Sequence, residues 1–436
     1  MNKPKILLIY PSVHKEIGKR VTPFWLPPLN LATIAGLTPE TFDIIMIDEN
    51  VEIVNFEHHA DLVAVTSLTA NIDRAYHICR EFRKRGIKVI IGGPHVSVCP
   101  EEALEHADSV ITGNAEDIWN TVLGDYLSNK LQKKYFSDYK KSQCKFGIPR
   151  RNIYKEKSYL STNSIQTSRG CPFQCSFCSI ASRYKGQYHL KPMDQVLSEV
   201  ESLEDKNVPV FFVDDNIFVN RKRSKEFLRK LIKYKIQWWS QADICIADDP
   251  ELLSLARESG CIKLVVGFES LSGNSLKNIN KNQNKSNSYS AFVQTLHSHG
   301  IMVNASFAFG GEGDHPDVFE KTMDFLVENH VMFSTFNILT PLPGTSLFNQ
   351  MKENNEIVDY DWAHYDMGHP VFKPKHMTMK ELKDGYNNIC NEFYSLPAIS
   401  GRIQKLKSEK ENYNMNLILG WNLGYKKMLD TFGVFM

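Results

Sequence analysis

Hydrophobic runs alternate with amphipathic stretches along the first 130 residues of the chain. Each run is short and almost continuously apolar, whereas the stretch 73–84 repeats its apolar residues at helical spacing. Strands formed by such continuous apolar runs are buried on both faces, as in a parallel sheet covered by helices. The pattern predicts a doubly wound, Rossmann-like α/β domain of about five strands, at residues 5–10, 42–47, 62–66, 89–91 and 109–111.

The same alternation returns after residue 163 and stops near residue 355. Residues 131–163 are basic, polar and aromatic without periodicity, which indicates a linker. Six further runs predict six parallel strands, two fewer than a closed eight-stranded barrel needs, at 164–167, 209–213, 237–241, 264–268, 303–308 and 333–339. We therefore expect an α/β domain at 1–130, a linker at 131–163, a barrel-like domain at 164–355 and a helical extension at 356–436.

Three cysteines with the spacing C-x3-C-x2-C follow the first of these six strands. They are Cys171, Cys175 and Cys178. Three thiolates from one loop can hold a [4Fe–4S] cluster and leave its fourth iron open to a small molecule. Zinc is the alternative, but a structural zinc site takes four protein ligands, often from paired C-x2-C units, and the sequence has no second cysteine cluster. The spacing favours a catalytic iron–sulfur cluster.

With Phe177 at the aromatic position, this motif resembles the C-x3-C-x-aromatic-C of the radical SAM superfamily. The resemblance implies that the open iron chelates the amino and carboxylate groups of S-adenosylmethionine. An electron from an external donor of flavodoxin or ferredoxin type would then cleave the sulfonium to a 5′-deoxyadenosyl radical. It also implies that the six strands form a partial (β/α)6, TIM-like barrel.

Polar residues or glycines follow most of these strands, at the edge where a parallel barrel carries its site. Asp214, Gln241, Glu269 and Gly310 are the candidates for contact with S-adenosylmethionine. Similar G-[FI]-E-S segments in radical SAM relatives imply that Glu269 accepts a hydrogen bond from its ribose or amino group. Two alternatives stay open: Asp214 and its neighbours cap the next helix, and Gly310 belongs to a tight turn.

Three loops of the N-terminal domain follow strands in the same way. Paired glycines let the backbone approach a flat ligand, and small hydroxyl groups offer hydrogen bonds without bulk. Ordinary turn chemistry also explains such loops. The candidate binding residues are Ser67, Thr69, Gly92, Gly93, His95, Gly113 and Glu116.

Together with the cysteine motif, these loops and the 27–29 segment resemble the cobalamin-binding domain that precedes the barrel in cobalamin-dependent radical SAM enzymes. The resemblance spans about residues 3–400 and implies cobalamin as a third cofactor. The D-x-H-x-x-G motif, which supplies a lower axial histidine to cobalt in other cobalamin domains, does not occur. His95 is a possible replacement, but a histidine in a glycine loop more often forms hydrogen bonds, so we expect no histidine on cobalt.

Composition limits the classes of partner and the cell compartment that we expect. A net charge of +1 argues against a nucleic-acid partner, because neutralising phosphates needs an excess of Lys and Arg, and favours a small-molecule substrate. Apolar runs stay well short of the roughly 18 residues of a membrane span, and residues 1–5 do not open a signal peptide. We therefore expect a cytoplasmic protein whose nine cysteines are reduced or bind metal.

The helical extension carries several aromatic residues and resembles that of a branch including hopanoid methylases. They form either a lid over the barrel or a packed helical cap, and are Trp362, Tyr365, Tyr386, Phe393 and Tyr394. The resemblance implies hydrogen abstraction from an unactivated carbon of a small-molecule or lipid-like metabolite, then methyl transfer from methylcobalamin. Rearrangement, ring contraction or cyclisation without methyl transfer is the alternative. A non-catalytic cobalamin or cluster sensor is less favoured, because polar strand ends throughout the barrel indicate catalysis.

Overall fold

The computed structural model describes residues 3–13, 26–139, 146–155, 157, 159, 161–408 and 414–435. The chain forms two compact units. The first comprises Met1–Thr162 with Leu342–Gly344 and Asp361–Tyr365, and the second comprises Asn163–Pro341, Thr345–Tyr360 and Asp366–Met436.

The first unit is a six-stranded parallel sheet with the strand order β2-β1-β3-β4-β5-β6. Its central strands are fully buried because helices cover both faces, as the continuous apolar runs predict. The strands are β1 Lys5–Tyr10, β2 Asp43–Asp48, β3 Leu62–Thr66, β4 Lys88–Gly92, β5 Ser109–Thr112 and β6 Lys134–Phe136, and the helices are α1 Leu29–Leu37, α2 Ile72–Lys84, α3 Pro100–His106 and α4 Ala115–Leu127.

The sixth strand lies inside the segment predicted to be a linker. Strand β6 pairs with β5, and Tyr154, in a turn of 3-10 helix at Arg151–Tyr154, is 3% exposed within the same core. The prediction of five strands followed by a linker that begins at residue 131 is therefore wrong for these residues. The strand escaped detection because only Tyr135 of its three residues is buried, so it has no hydrophobic run.

The second unit contains a six-stranded parallel sheet with the order β14-β13-β12-β11-β10-β7, which confirms the partial barrel, and a separate antiparallel pair, β8 with β9. Its strands are β7 Ser164–Ile165, β8 Ser168–Gly170, β9 Tyr188–Leu190, β10 Val210–Phe212, β11 Trp238–Ala242, β12 Cys261–Glu269, β13 Met302–Phe309 and β14 Phe333–Ile338. Its helices are α5 Ser179–Tyr184, α6 Met193–Glu201, α7 Arg221–Leu231, α8 Pro250–Glu258, α9 Gly273–Asn278, α10 Tyr289–Ser298, α11 Val318–Glu328, α12 Ser346–Glu353, α13 Met379–Phe393, α14 Leu396–Ser408 and α15 Met415–Phe432.

Alternation along these strands gives the sheet a helix-covered face and an open inner face. Phe268 on β12 packs on Tyr289 and Phe292 of α10, with ring centroids 4.4 and 5.7 Å apart. The side chains that alternate with it point the other way and stay half-exposed, as Val265 on β12 and Thr335 on β14 do. The inner face is therefore accessible toward the carboxyl ends of the strands, whereas α15 covers it at Lys263, Asn304 and Phe333.

The aromatic residues of the C-terminal extension do not form one lid. Tyr386, Phe393 and Tyr394 are at most 1% exposed. Tyr394 donates its hydroxyl to the Ser334 carbonyl at 2.7 Å, on the edge strand β14. These three residues follow the packed-cap alternative. The other two, Trp362 and Tyr365, lie in the first unit.

A buried lysine fastens the last helix to the sheet. Lys263 on β12 is 2% exposed, and its ammonium lies 4.4 Å from the Trp239 ring and 3.9 Å from the Trp421 ring of α15. On the other side of Trp239, Phe211 stacks at 3.8 Å. No carboxylate in the described ranges acts on this amine, and burial lowers the pKa of Lys263 to about 7. Aromatic faces thus replace a counter-ion.

We expect Lys263→Met to stabilise the protein at neutral pH. The lowered pKa means that the unfolded chain binds a proton that the folded chain excludes, so stability rises with pH between about 7 and 10.5. Methionine removes that penalty, and the lost cation–π attraction offsets part of the gain, which leaves about 1–3 kcal/mol. Urea unfolding at pH 7, 8 and 9 measures it.

The gain should shrink as the pH approaches 10. Lys233→Met is the matched control, because Lys233 also faces an aromatic ring, Tyr234 at 4.8 Å, but is exposed. A gain for Lys263→Met that stays constant from pH 7 to pH 9 would contradict the linkage to the Lys263 proton.

Candidate functional site

The loop that carries the three cysteines leaves β8 at a strained glycine. Gly170 has φ +86°, and a Cβ there would lie 2.2 Å from the Gln187 carbonyl oxygen. Only glycine fits such a turn without displacing the neighbouring backbone. The loop ends at Cys178, the residue immediately before helix α5. The motif is therefore presented between the β8–β9 pair and a helix N-terminus.

The three cysteine thiols lie close enough for the charges of Cys175 and Cys178 to act on Cys171. Cys175 is 8% exposed, while Cys171 and Cys178 are half-buried. Burial raises the pKa of Cys171 to about 11, and the charges of Cys178 and Cys175 push it in the same direction. A metal centre resolves this mutual repulsion because thiolates, not thiols, are its ligands. The donor set fits an iron–sulfur cluster with one open iron.

The middle of the loop is tied to two other elements of the second unit. The Ser176 amide donates to the Ile279 carbonyl, and its carbonyl accepts from the Leu347 amide, both at 2.9 Å. These bonds fix the backbone between the second and third cysteines. Beside them lies a small, partly open cavity of about 50 Å³, whose lining includes Ile279, Gly310, Leu339 and Leu347.

Asp214 braces the base of the loop. Its carboxylate accepts from the Thr167 amide at 3.1 Å, from the Thr167 hydroxyl at 2.8 Å and from the Ser168 hydroxyl, and the residue is 0% exposed. Helix α7 is capped by Asn220, so the capping alternative for Asp214 is wrong. The neighbouring Asp215 accepts from the Gly170 amide at 2.9 Å. Direct contact of Asp214 with a cofactor stays a prediction, whereas support of the loop is observed.

Glu269 ends β12 in a left-handed conformation, with φ +62°. Its Oε1 lies 2.7 Å from the ammonium of Lys281, and both side chains are largely buried. Burial acts to lower the pKa of Lys281, but the charges of Glu269 and Cys175 outweigh it and raise that pKa above its ordinary value. Sequence reasoning singled out Glu269 but missed Lys281.

The glycines after β13 follow the tight-turn alternative. The amides of Gly310 and Gly311 both donate to Oδ2 of Asp314 at 3.0 Å. A Cβ on Gly310 would lie 3.0 Å from Leu382 and 3.1 Å from Phe372, so side chains fill the space beside it. Asp314 is 1% exposed and was not predicted.

The remaining two candidates of the second unit, Gln241 and Phe177, are accessible. Gln241 is exposed near the carboxyl end of β11, and Phe177 is half-buried beside Cys178. Their contact with S-adenosylmethionine stays a prediction.

In the first unit, two of the loop glycines serve the protein itself. Gly93 has φ +113°, and a Cβ there would lie 2.4 Å from the Ser67 carbonyl oxygen and 2.7 Å from its amide nitrogen. Gly113 similarly meets the Ser137 carbonyl oxygen at 1.9 Å. The room that we attributed to a flat ligand at these positions is occupied by neighbouring backbone. A Cβ on Gly92, at the end of β4, would lie at an ordinary contact distance, 3.4 Å from the Ile111 carbonyl oxygen.

Ser67 offers a better indication of a ligand. The residue is 1% exposed, and its buried hydroxyl has no hydrogen-bond partner in the described part of the chain. An unsatisfied buried hydroxyl costs about 1–3 kcal/mol, which a bound ligand can offset. This side chain fits a cofactor at the carboxyl edge of the sheet. Glu116 is half-buried in helix α4, near the same edge.

His95 is enclosed by the first unit. It is 0% exposed, its Nδ1 lies 3.3 Å from the Thr69 hydroxyl, and its Nε2 lies 3.4 Å from Oε1 of Glu102. The Trp362 ring packs on it edge-on at 5.2 Å. Burial lowers the pKa of His95 below its ordinary value. Both ring nitrogens thus have protein partners, in accord with a hydrogen-bonding role.

Comparisons with known proteins place this geometry in a family. The chain matches the B12 binding domain over residues 17–123 and the Radical SAM superfamily over residues 165–326. It is 34% identical over 387 residues to the bacteriochlorophyllide d C-12(1)-methyltransferase of Chlorobaculum tepidum, covering 86% of this chain and 84% of that protein. It is 28% identical to the hopanoid C-2 methylase of Rhodopseudomonas palustris, covering 82% of this chain and 72% of that protein.

A solved structure of similar fold is the cobalamin-dependent radical enzyme OxsB with aqua-cobalamin and S-adenosylmethionine, with a TM-score of 0.65, 14% identity and coverage of 98% of this chain and 72% of that one. Among the described residues, no helix combines the length and apolar character needed to cross a membrane. The chain belongs to the cobalamin-dependent radical SAM enzymes, as a C-methyltransferase that uses a [4Fe–4S] cluster, S-adenosylmethionine and cobalamin.

Proposed function

We propose that the protein methylates an unactivated carbon of a largely uncharged, lipid-like or polycyclic small molecule. One observation carries the proposal. The loop with the three thiols is held in place by hydrogen bonds, and it lies beside a sheet with an accessible inner face. When bound, the cofactors supply a radical that removes hydrogen from carbon and a carrier that delivers a methyl group.

The chain's own residues hold and orient these groups. In our proposal Cys171, Cys175 and Cys178 ligate the cluster, while Asp214 keeps the loop in place. Phe177, Gln241, Glu269 and Gly310 surround S-adenosylmethionine. The loops 67–70, 92–95 and 113–116 bind cobalamin through Ser67, Thr69, Gly92, His95 and Glu116, and the free hydroxyl of Ser67 is the firmest support for this part of the proposal.

The inner face of the barrel supports an uncharged substrate. Its half-exposed side chains on β12, β13 and β14 are apolar, hydroxyl or amide groups, as at Val265, Ser306, Thr335 and Asn337. Such a lining favours burial of apolar surface, with a few hydrogen bonds that fix orientation. The relatives named above carry bacteriochlorophyllide and hopanoid in their names, and both are polycyclic compounds.

The proposal has three further parts, which concern the electron donor, the class of substrate and the location in the cell. We propose a one-electron donor of flavodoxin or ferredoxin type, since cleavage of the sulfonium consumes an electron. A net charge of +1 supports a substrate other than nucleic acid. A cytoplasmic location suits free thiols and an oxidant-sensitive cluster.

A second candidate is cyclisation without methyl transfer. The anaerobic magnesium-protoporphyrin IX monomethyl ester cyclase of Cereibacter sphaeroides is 24% identical over 91% of this chain. Anaerobic incubation of the reduced protein with extracts of the source cell and methyl-labelled methionine separates the two. A product that gains one labelled methyl group supports methylation, and a product whose mass changes without label supports cyclisation. The variant lacking all three loop cysteines is the control for labelling by other enzymes.

We expect the cobalt(II) state to carry no nitrogen from His95. Both ring nitrogens of His95 are hydrogen-bonded and the side chain is fully buried, so ligation would require it to leave this pocket. In electron paramagnetic resonance, an axial nitrogen splits each cobalt line into a triplet. We expect unsplit lines in the protein reconstituted with cobalamin. Triplets that vanish in His95→Ala would show that His95 is a ligand.

A further inference from the structure

The segment after helix α9 runs alongside the cysteine loop. The Ile279 carbonyl accepts from the Ser176 amide at 2.9 Å, and the Asn280 side chain donates to the Gln174 carbonyl at 2.6 Å. The Gln283 side chain hydrogen-bonds to the thiol of Cys175. Residues 279–283 therefore contact the loop at successive points.

Lys281 lies at the centre of this segment and is held in place. Its ammonium is 2.7 Å from Oε1 of Glu269, and the side chain is 15% exposed. The side-chain amide of Asn284 donates to the Gly267 carbonyl at 2.8 Å, which anchors the segment to β12. A Cβ on Gly267 would come within 2.9 Å of the ammonium, so the pocket around it is narrow. The position of this charge is fixed by the fold.

The charge of Lys281 acts on two of the thiols. Burial raises the pKa of Cys175 and of Cys178, and the Lys281 charge opposes this rise at both. Because residues 279 and 280 hydrogen-bond to the loop on either side of Cys175, Lys281 lies beside that part of the loop. In a poorly hydrated site, charges at such short range interact far more strongly than in water.

We propose that Lys281 sets the reduction potential of the cluster, with Glu269 as the group that positions it. The inference rests on the proposed ligation by Cys171, Cys175 and Cys178. Reduction adds one electron, from the external donor, to a centre that already carries three thiolates. No bond forms or breaks in this step. A fixed ammonium beside two of the thiolates stabilises the reduced state and so raises the potential.

The test is the midpoint potential of the cluster in the full-length reconstituted protein, followed by electron paramagnetic resonance without S-adenosylmethionine. Lys281→Met should lower the ratio of reduced to oxidised cluster at a fixed potential at least tenfold, or about 59 mV for one electron. Lys281→Arg should restore most of it. Glu269→Gln should shift the potential in the opposite direction. Lys277→Met, an exposed lysine on α9, is the matched charge control and should change nothing.

Two results would overturn the inference: an unchanged midpoint in Lys281→Met, or a negative shift in Glu269→Gln. If Lys281→Met takes up no iron, Glu269→Gln decides, since a positive shift supports the role of Lys281 and no shift refutes it. A wild-type protein that takes up no cluster iron would instead contradict the assignment of the cysteines, so the two failures are distinguishable.

Discussion

We expect that replacing Cys171, Cys175 and Cys178 together by alanine abolishes cluster iron and the reductive cleavage of S-adenosylmethionine. In our proposal each thiolate binds one iron, and no other cysteine group with ligand spacing occurs in the sequence. The backbone bonds of Ser176 to Ile279 and Leu347 do not involve these side chains, so the fold should persist. Iron analysis, the absorbance of the reconstituted protein and release of 5′-deoxyadenosine measure the loss.

Cys245→Ala is the matched control for this triple variant. Cys245 is a half-buried thiol in the turn of 3-10 helix at Ile244–Asp248, outside the motif. It should keep its iron and its cleavage activity. Full iron content in the triple variant, with unchanged circular dichroism, would contradict the assignment.

The hydrophobic pattern located the long strands of both sheets because those strands are buried on both faces or alternate cleanly. It missed strands whose stability comes from their neighbours. Strand β6 has a single buried residue between two exposed ones, and β8 of the β8–β9 pair is a three-residue strand held by Asp214 and Asp215. Short strands of this kind carry no periodic signal of their own.

Spacing alone identified the cysteine motif, since all three ligands come from one loop. The groups that support this loop are remote in sequence: Thr167 and Asp214 are 47 residues apart, and Gly170 and Asp215 are 45 apart. Such pairs of residues can be recognised only in the folded structure, where the strands lie side by side. For the same reason, Gly93 and Gly113 were credited to a ligand, although the backbone of Ser67 and Ser137 accounts for them.

Asp214→Ala should destabilise the protein and impair cluster assembly without removing a ligand. The substitution leaves the Thr167 amide and two hydroxyl groups buried without their acceptor, which costs about 3 kcal/mol or more in the free energy of unfolding. The base of the cysteine loop then loses its anchor. We expect reduced iron content and a lower urea midpoint, whereas Asp324→Ala, an exposed aspartate on α11, should change neither.

The protonation of Asp214 gives this prediction a second readout. Burial raises its pKa from 3.8 to about 6, against the hydrogen bonds it accepts. The folded state therefore binds a proton more tightly than the unfolded chain does, so this group contributes stability below about pH 4 that is lost as the pH rises through about 6. Between those pH values, the unfolding free energy of the wild type should fall relative to that of Asp214→Asn, which cannot titrate. Parallel pH profiles for the two proteins would show that the Asp214 carboxylate does not titrate in this range and would contradict the raised pKa.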